Sequence, residues 1–331
     1  MKNDGVYIYS IVGDDTDPIA SNYSFELLFS CTGDKLEWLS LDKNLRFCIP
    51  IKKENGMLYD SIDDFLSNLP PSLDLKLDFK YKIIERKSHF NIGEYYRNIY
   101  RPVISYKLQR FHMAKNGVPF SDCYDDISIW YYRKEYLSHL RQLEFILDEL
   151  NNVFRVIEPT MDNKEAYGNT LRNIIILSCT EIDSMMCNIL KSNGFTVKDD
   201  KYTTNHYIKL KAALRIDEYT LKFNEYEELG VFSPFSNWNE KIPTQSIPWY
   251  DVYNKIKHDR QTNMKLATLD NALASIAAYA ILIFAQYGID NHIWKDHIKR
   301  VFNISKRPQW KLEDFYVPHI HELVPVNYPF K

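Results

Sequence analysis

The stretch Leu273–Tyr287 constrains this chain most. About fifteen consecutive residues are almost all apolar. A helix that is apolar all round must be buried all round, so this run demands partners on every side. It falls short of the roughly 18 residues that span a bilayer. Thr268–Tyr287 therefore reads as the central helix of a helical unit.

Three more helices precede it. The first runs from Ile127 to Val156, with an apolar stripe of Tyr136, Leu140, Leu143, Phe145, Ile146 and Leu150, and Glu158-Pro159 ends it. The second runs from Ala166 to Ser192, and Asn193-Gly194 is a C-cap signal. After an excursion over 195–246, the third starts near Ser246, a candidate N-cap, with Pro248 in its first turn. Within the excursion, Tyr207–Leu214 reads as helical, Tyr219–Phe223 as extended, and Val231–Phe235 as a further short element. A shorter helix is expected near Asn291–Asn303, and the proline-bearing tail from Arg307 is expected to lie across the surface.

The first 85 residues read differently. Val6–Ser10, Tyr23–Ser30, Leu36–Leu41 and Leu45–Ile51 are short runs of β-branched and aromatic residues between turn signals. Leu73–Tyr81 alternates apolar and polar residues, as a half-buried strand does. Ser61–Leu66 reads as a short capped helix, ended by Pro70-Pro71. The expected organisation is a β-rich domain over 1–126, a helical bundle over 127–303 and a tail over 304–331.

Composition excludes several functions. Glycine is scarce at 10 residues, and no G-x-G-x-x-G or phosphate-binding loop occurs. A net charge of −3 gives no bulk drive onto nucleic acid, so any such contact needs a local patch. Five cysteines (Cys31, Cys48, Cys123, Cys179, Cys187), an odd number without C-x-x-C, argue against a disulfide framework and fit a reducing cytosol. Met1–Gly5 carries no apolar core, so no signal peptide is expected. His292 and His297 fall on different helix faces, and His319-x-His321 lacks a completing carboxylate or thiol cluster. Neither a metal nor a cofactor is expected. The aromatic and basic run Tyr95–Arg101 could stack on nucleic acid, but a packed edge is the plainer reading.

The third helix carries the candidate chemistry. On a wheel of about 100° per residue, Trp249, Val252, Tyr253 and Ile256 share one face. Asp251, Asn254 and His258 share the other, with Lys257 flanking them. On an unbroken helix Arg260 would point to the Tyr253 side. An imidazole moves protons near neutral pH, an amide orients it, and a cation steadies phosphate charge. A solvated polar face is the plainer alternative.

The string Trp249–Arg260, the following Ala/Leu-rich helix, and Leu171-Arg172-Asn173-Ile174 with Thr180-Glu181-Ile182-Asp183 resemble the HEPN superfamily of helical domains over about 127–290. That resemblance implies an α+β chain with a four-helix HEPN-like bundle after the β-rich domain. It implies a metal-independent endoribonuclease of phage defence or stress response, working as a homodimer on RNA. Asn254 and His258 match the family's polar residue and histidine, while Tyr253 stands in place of its arginine. Lys257 or Arg260 would supply the cation, and Glu181 would support His258. The rival expectations are a non-catalytic dimerisation module whose N-terminal domain binds a partner, and an aromatic-lined small-molecule or nucleotide pocket.

Overall fold

The computed structural model describes all residues except 1, 15, 17–23, 42–47, 71–72, 74–76, 105–126, 289–295 and 320–322, and leaves the side chains of 41, 127–133, 296–297 and 299 undescribed. The chain is mixed α+β, with a β-rich sheet first and helices later. It divides into two compact units. Unit 1 is Met1–Tyr95, Arg101–Ile127 and Trp310–Val326, and unit 2 is Tyr96–Tyr100, Ser128–Gln309 and Asn327–Lys331.

Strand alternation organises unit 1. Its elements are β1 (Gly5–Gly13), β2 (Ser24–Thr32), β3 (Lys35–Leu41), β4 (Cys48–Ile51), α1 (Ile62–Ser67), β5 (Tyr81–Lys87) and β6 (Glu94–Tyr96). Five of these strands form an antiparallel sheet in the order β4-β3-β2-β1-β5. Successive side chains point to opposite faces. Tyr7, Tyr9, Ile11, Phe29 and Trp38 therefore pack with Phe65 of α1, while Val6, Ile8, Leu28 and Leu39 pack with Phe315 and Val317. Ser61 caps α1 by accepting from the Asp64 amide at 3.1 Å.

The strand expected at Leu73–Tyr81 is displaced. Residues 74–76 lie outside the described residues, Leu77–Lys80 form no strand, and β5 begins at Tyr81. The reason is register, since β1 is paired over Tyr7–Gly13 by Tyr81–Lys87. Leu73 and Leu77 still join the core beneath the sheet. The tail also differs from expectation. Phe315, Tyr316 and Val317 are buried in unit 1, and the Ile104 amide donates to the Tyr316 carbonyl at 2.9 Å.

Unit 2 contains α2 (Ile127–Phe154), α3 (Asn169–Ser192), α4 (Thr204–Tyr207), α5 (Leu210–Leu214), β7 (Thr220–Phe223), β8 (Val231–Phe232), α6 (Pro248–His258), α7 (Arg260–Asn263), α8 (Leu269–Tyr287), α9 (Asp296–Val301) and β9 (Phe302–Lys306). The remaining strand, β10 (Val324–Val326), belongs to unit 1 and pairs there with β6. The short helix expected to reach Asn303 stops at Val301, because Phe302–Lys306 instead pairs with β7. Asn193 caps α3, and Gly194 follows at φ +77, a value glycine adopts freely.

Helix α8 is the central element, buried along nearly its whole length. Its 19 residues, like the 24 of α3, match a membrane span in length and apolarity. Over their apolar windows α8 is 83% buried and α3 50% buried. The amide of Leu269 donates to the Ala166 carbonyl at 2.8 Å, so α3 and α8 start side by side and run parallel. Tyr136 of α2 meets Tyr287 at the far end of α8, while His139 reaches back to Tyr279, so α2 runs antiparallel to α8. The stripe of α2 is buried as expected except at Phe145, which is 55% exposed.

The run Tyr95–Arg101 is packed rather than presented as a stacking platform. Tyr95, Asn98, Ile99 and Arg101 are buried. The Arg101 guanidinium lies 4.1 Å over the Trp310 ring, and Tyr96 packs edge-on against Tyr328.

Candidate functional site

Helix α6 forms where an amphipathic run follows a proline. Pro248 occupies its first turn, Ile247 precedes it without a side-chain cap, and Ser246 instead accepts from the Asn239 amide at 2.9 Å. Ser246 is therefore not the N-cap that the sequence suggests. Trp249, Val252, Tyr253 and Ile256 are buried as the wheel requires, and Tyr250 joins them. The Trp249 indole donates to the Pro234 carbonyl at 3.0 Å. On the polar side, Lys255 pairs with Asp251 at 2.6 Å. Asn254 is half-buried and His258 exposed, and neither side chain has a hydrogen bond among the described residues.

The end of α6 decides where the cations go. The helix stops at His258, because Asp259 leaves helical geometry at φ −139. Its carboxylate caps α7, accepting from the Thr262 amide at 3.1 Å, and bonds from the Thr262 hydroxyl and amide hold its pKa below the usual range. The break frees Arg260 from the Tyr253 side. Its guanidinium donates to the Asn169 side-chain oxygen at 2.7 Å, at the start of α3. Arg172, one turn further along α3, reaches the Ile256 carbonyl at 3.3 Å and so meets an otherwise unpaired C-terminal carbonyl. Arg172 and Arg260 thus meet at the junction between the end of α6 and the start of α3, while the Lys257 ammonium turns back along α6 to Tyr253. Sequence reasoning did not single out Arg172 as a site residue.

Beneath this rim lies a polar layer. The Tyr250 hydroxyl donates to one Asp183 oxygen at 2.5 Å, and the Tyr253 hydroxyl to the other at 3.4 Å. Lys257 donates to the Tyr253 hydroxyl at 2.9 Å. Burial pushes the Asp183 carboxyl up, against the Tyr250 bond and the Lys257 charge, which favour the ionised form. The bond to Tyr253 holds the Lys257 ammonium above its ordinary value. Burial, with the neighbouring Asp183 charge, pushes the Tyr250 phenol up.

Glu181 stands elsewhere. Tyr250 meets Asp183 while Arg172 meets Ile256, so α3 and α6 run antiparallel. At 1.5 Å per residue, Glu181 lies about 14 Å along α3 from the level of Arg172. It also points to another face, because neighbours two apart on a helix diverge by about 200°. Burial, then the Glu181 charge, raises the phenol of Tyr279 on α8, and Glu181's own carboxyl is raised by burial. The acid of α3 that meets α6 is Asp183, and it engages Tyr250 and Tyr253 rather than His258. A signal was present in the sequence, since Arg172, Cys179 and Asp183 recur at helical spacing on one face.

Among the described residues no group of three or more histidines, cysteines or carboxylates could hold a metal ion. His292 and His321 lie outside the described residues, as do Cys123 and the side chain of His297. Of the described cysteines, Cys31, Cys48, Cys179 and Cys187 are free thiols; Cys179 is buried and Cys187 half-buried. Comparison with protein-family models, with curated proteins and with solved structures finds no match for this chain.

Proposed function

We propose that unit 2 is a HEPN-like helical domain that cleaves RNA without a metal, as a homodimer, in defence or stress response. The observation that carries this reading is the break at Asp259. It leaves His258 exposed at the end of α6, where Arg172 reaches the Ile256 carbonyl and Arg260 is turned to Asn169 at the start of α3. The alternating directions of α2, α3, α6 and α8 support the four-helix part of the reading.

In such a cleavage the ribose 2′-oxygen attacks the adjacent phosphorus and the 5′-oxygen leaves. His258 would take the 2′-hydroxyl proton or deliver one to the leaving oxygen. Asn254, one turn before it, would orient the imidazole or the substrate. Arg260 and Lys257 would stabilise the charge that gathers on the phosphate oxygens. Asp183 and Tyr253 would brace Lys257, the role that Glu181 is too distant to play toward His258.

The test is purified protein incubated with RNA in excess EDTA. We expect cleavage that His258→Ala abolishes while the fold persists. No cleavage, or cleavage unchanged in His258→Ala, removes the enzyme reading. One observation favours the rival, a non-catalytic module. Tyr253 stands where the HEPN arginine would, and its hydroxyl and ring hold exposed Lys257. On that reading His258→Ala has no functional consequence.

A further inference from the structure

Helix α2 has an outer face that nothing in the described structure covers. Its inner face, Tyr136 through Val153, is buried in the core of unit 2. Phe145, in the middle of the outer face, is 55% exposed. An isolated exposed apolar residue is ordinary. The charges around Phe145 are not arranged at random, however.

Arg141 lies four residues before Phe145 and Glu149 four after. Glu135 lies ten before and Arg155 ten after. Gln142 and Asp148 are three away on either side, and Ser138 and Asn152 are seven away. Ser138, Phe145 and Asn152 follow the seven-residue repeat of a helix seam. Among the described residues, Arg141, Glu149, Glu135 and Arg155 make no ion pair or side-chain hydrogen bond.

We propose that this face docks a second copy of the same helix, antiparallel, about a two-fold axis through Phe145. In that register each residue n places before Phe145 faces the partner residue n places after it. Arg141 then meets Glu149 of the second copy, Glu135 meets Arg155, Gln142 meets Asp148, and the two Phe145 rings close the centre. Every charged pair is complementary, and each occurs twice, as a closed two-fold interface requires. Sliding the pair by one heptad sets Asp148 against Glu149, and a parallel pairing sets Arg141 against itself. Both put like charges together, so the charge pattern selects one register.

The seam from Glu135 to Arg155 is about 30 Å long at 1.5 Å per residue. A helix pair of that length buries on the order of 1,000 Å², the lower edge of specific interfaces. The dimer is therefore concentration-dependent, and salt weakens it by screening the rim pairs. This deepens the homodimer named above, but it stands on the α2 pattern and not on any reaction at His258.

The experiment is sedimentation velocity of the full chain from micromolar to hundreds of micromolar, at low and high salt. We expect wild-type protein to dimerise, less so in salt. Phe145→Glu should leave monomer, and Arg141→Glu should weaken the dimer at least tenfold. The double variant Arg141→Glu/Glu149→Arg should restore it. Circular dichroism of each variant checks that the fold persists, as expected for exposed positions. Wild-type protein that stays monomeric at low salt overturns the proposal and the homodimer together. A dimer indifferent to Phe145→Glu overturns the α2 face alone, and a charge swap that fails to restore overturns the register. RNA cleavage by wild type and His258→Ala is scored separately, so loss of the catalytic reading is distinguishable from loss of this interface.

Discussion

The Lys257 ammonium donates to the hydroxyl of Tyr253 at 2.9 Å and stands 4.9 Å from the centre of the same ring. One aromatic side chain thus supplies both an acceptor and a π-face to the cation beside His258. The Tyr253 hydroxyl in turn donates toward Asp183, so a buried carboxylate, a phenol and a cation form one chain. Tyr250, Lys257 and Tyr253 favour the ionised form of Asp183 against its burial.

That chain should be measurable as stability. Tyr250→Phe removes the 2.5 Å bond to a buried carboxylate, at an expected cost of about 2 kcal/mol. Tyr253→Phe removes the 3.4 Å bond to Asp183 and the 2.9 Å bond from exposed Lys257, but keeps the ring under Lys257, so about 1 kcal/mol is expected. Guanidinium unfolding of the two variants checks the order. Equal costs would contradict the geometry.

His139 should make stability depend on pH. Burial pushes its imidazole down to about 4 from an ordinary 6.5, while Tyr279 donates to its backbone carbonyl at 3.2 Å. The unfolded chain therefore takes up the proton first as pH falls. The stability held by neutral His139 is complete above about 6.5, is lost as pH falls toward 4, and changes no further below that. A shift of this size corresponds to no more than about 3 kcal/mol. Glu181 and Asp183, both raised by burial, act with the opposite sign, since their protonation relieves a buried charge. Melting temperatures of wild type and His139→Gln between pH 4 and 7 should converge toward acid. Parallel profiles would sink the assignment.

The central helix should be the least tolerant element. Leu282 is fully buried, and Leu282→Ala should cost about 2–5 kcal/mol. Thr268 caps the same helix, accepting from the Asn271 amide at 3.3 Å, and Thr268→Ala should cost about 1 kcal/mol. Exposed His258→Ala should stay within about 0.5 kcal/mol of wild type. Chemical denaturation of the three variants separates them.

Thiol labelling should read out the two cores. Cys48 and Cys179 are fully buried, and burial pushes the Cys48 thiol up to about 12. Half-buried Cys187 should therefore alkylate well before either at pH 8, with all three equal once the chain is unfolded. Peptide mapping after a brief pulse of iodoacetamide tests this.

Much of the architecture was legible in the residues alone. β-Branched and aromatic runs between turn signals marked most of β1 to β4, the helical period marked α2 and α6, a C-cap signal marked the end of α3, and the unbroken apolar run required α8 to be central. Each of these follows from local geometry and asks only for some apolar partner. What needed a particular distant partner was not legible. The pairing edge of β1 set where β5 begins, and β7 drew Phe302–Lys306 out of a helix. The tail aromatics around Tyr316 filled a sheet face that no local pattern announces. The same division runs through the site. The sequence alone determined that α6 has a buried aromatic face and exposes His258. Only the tertiary structure decided that Asp183 rather than Glu181 faces α6, that Lys257 bonds the Tyr253 hydroxyl, and that the break at Asp259 sends Arg260 to Asn169. Periodicity states which side of a helix is buried, whereas the choice of partner depends on the crossing and direction of a second helix far away in the chain.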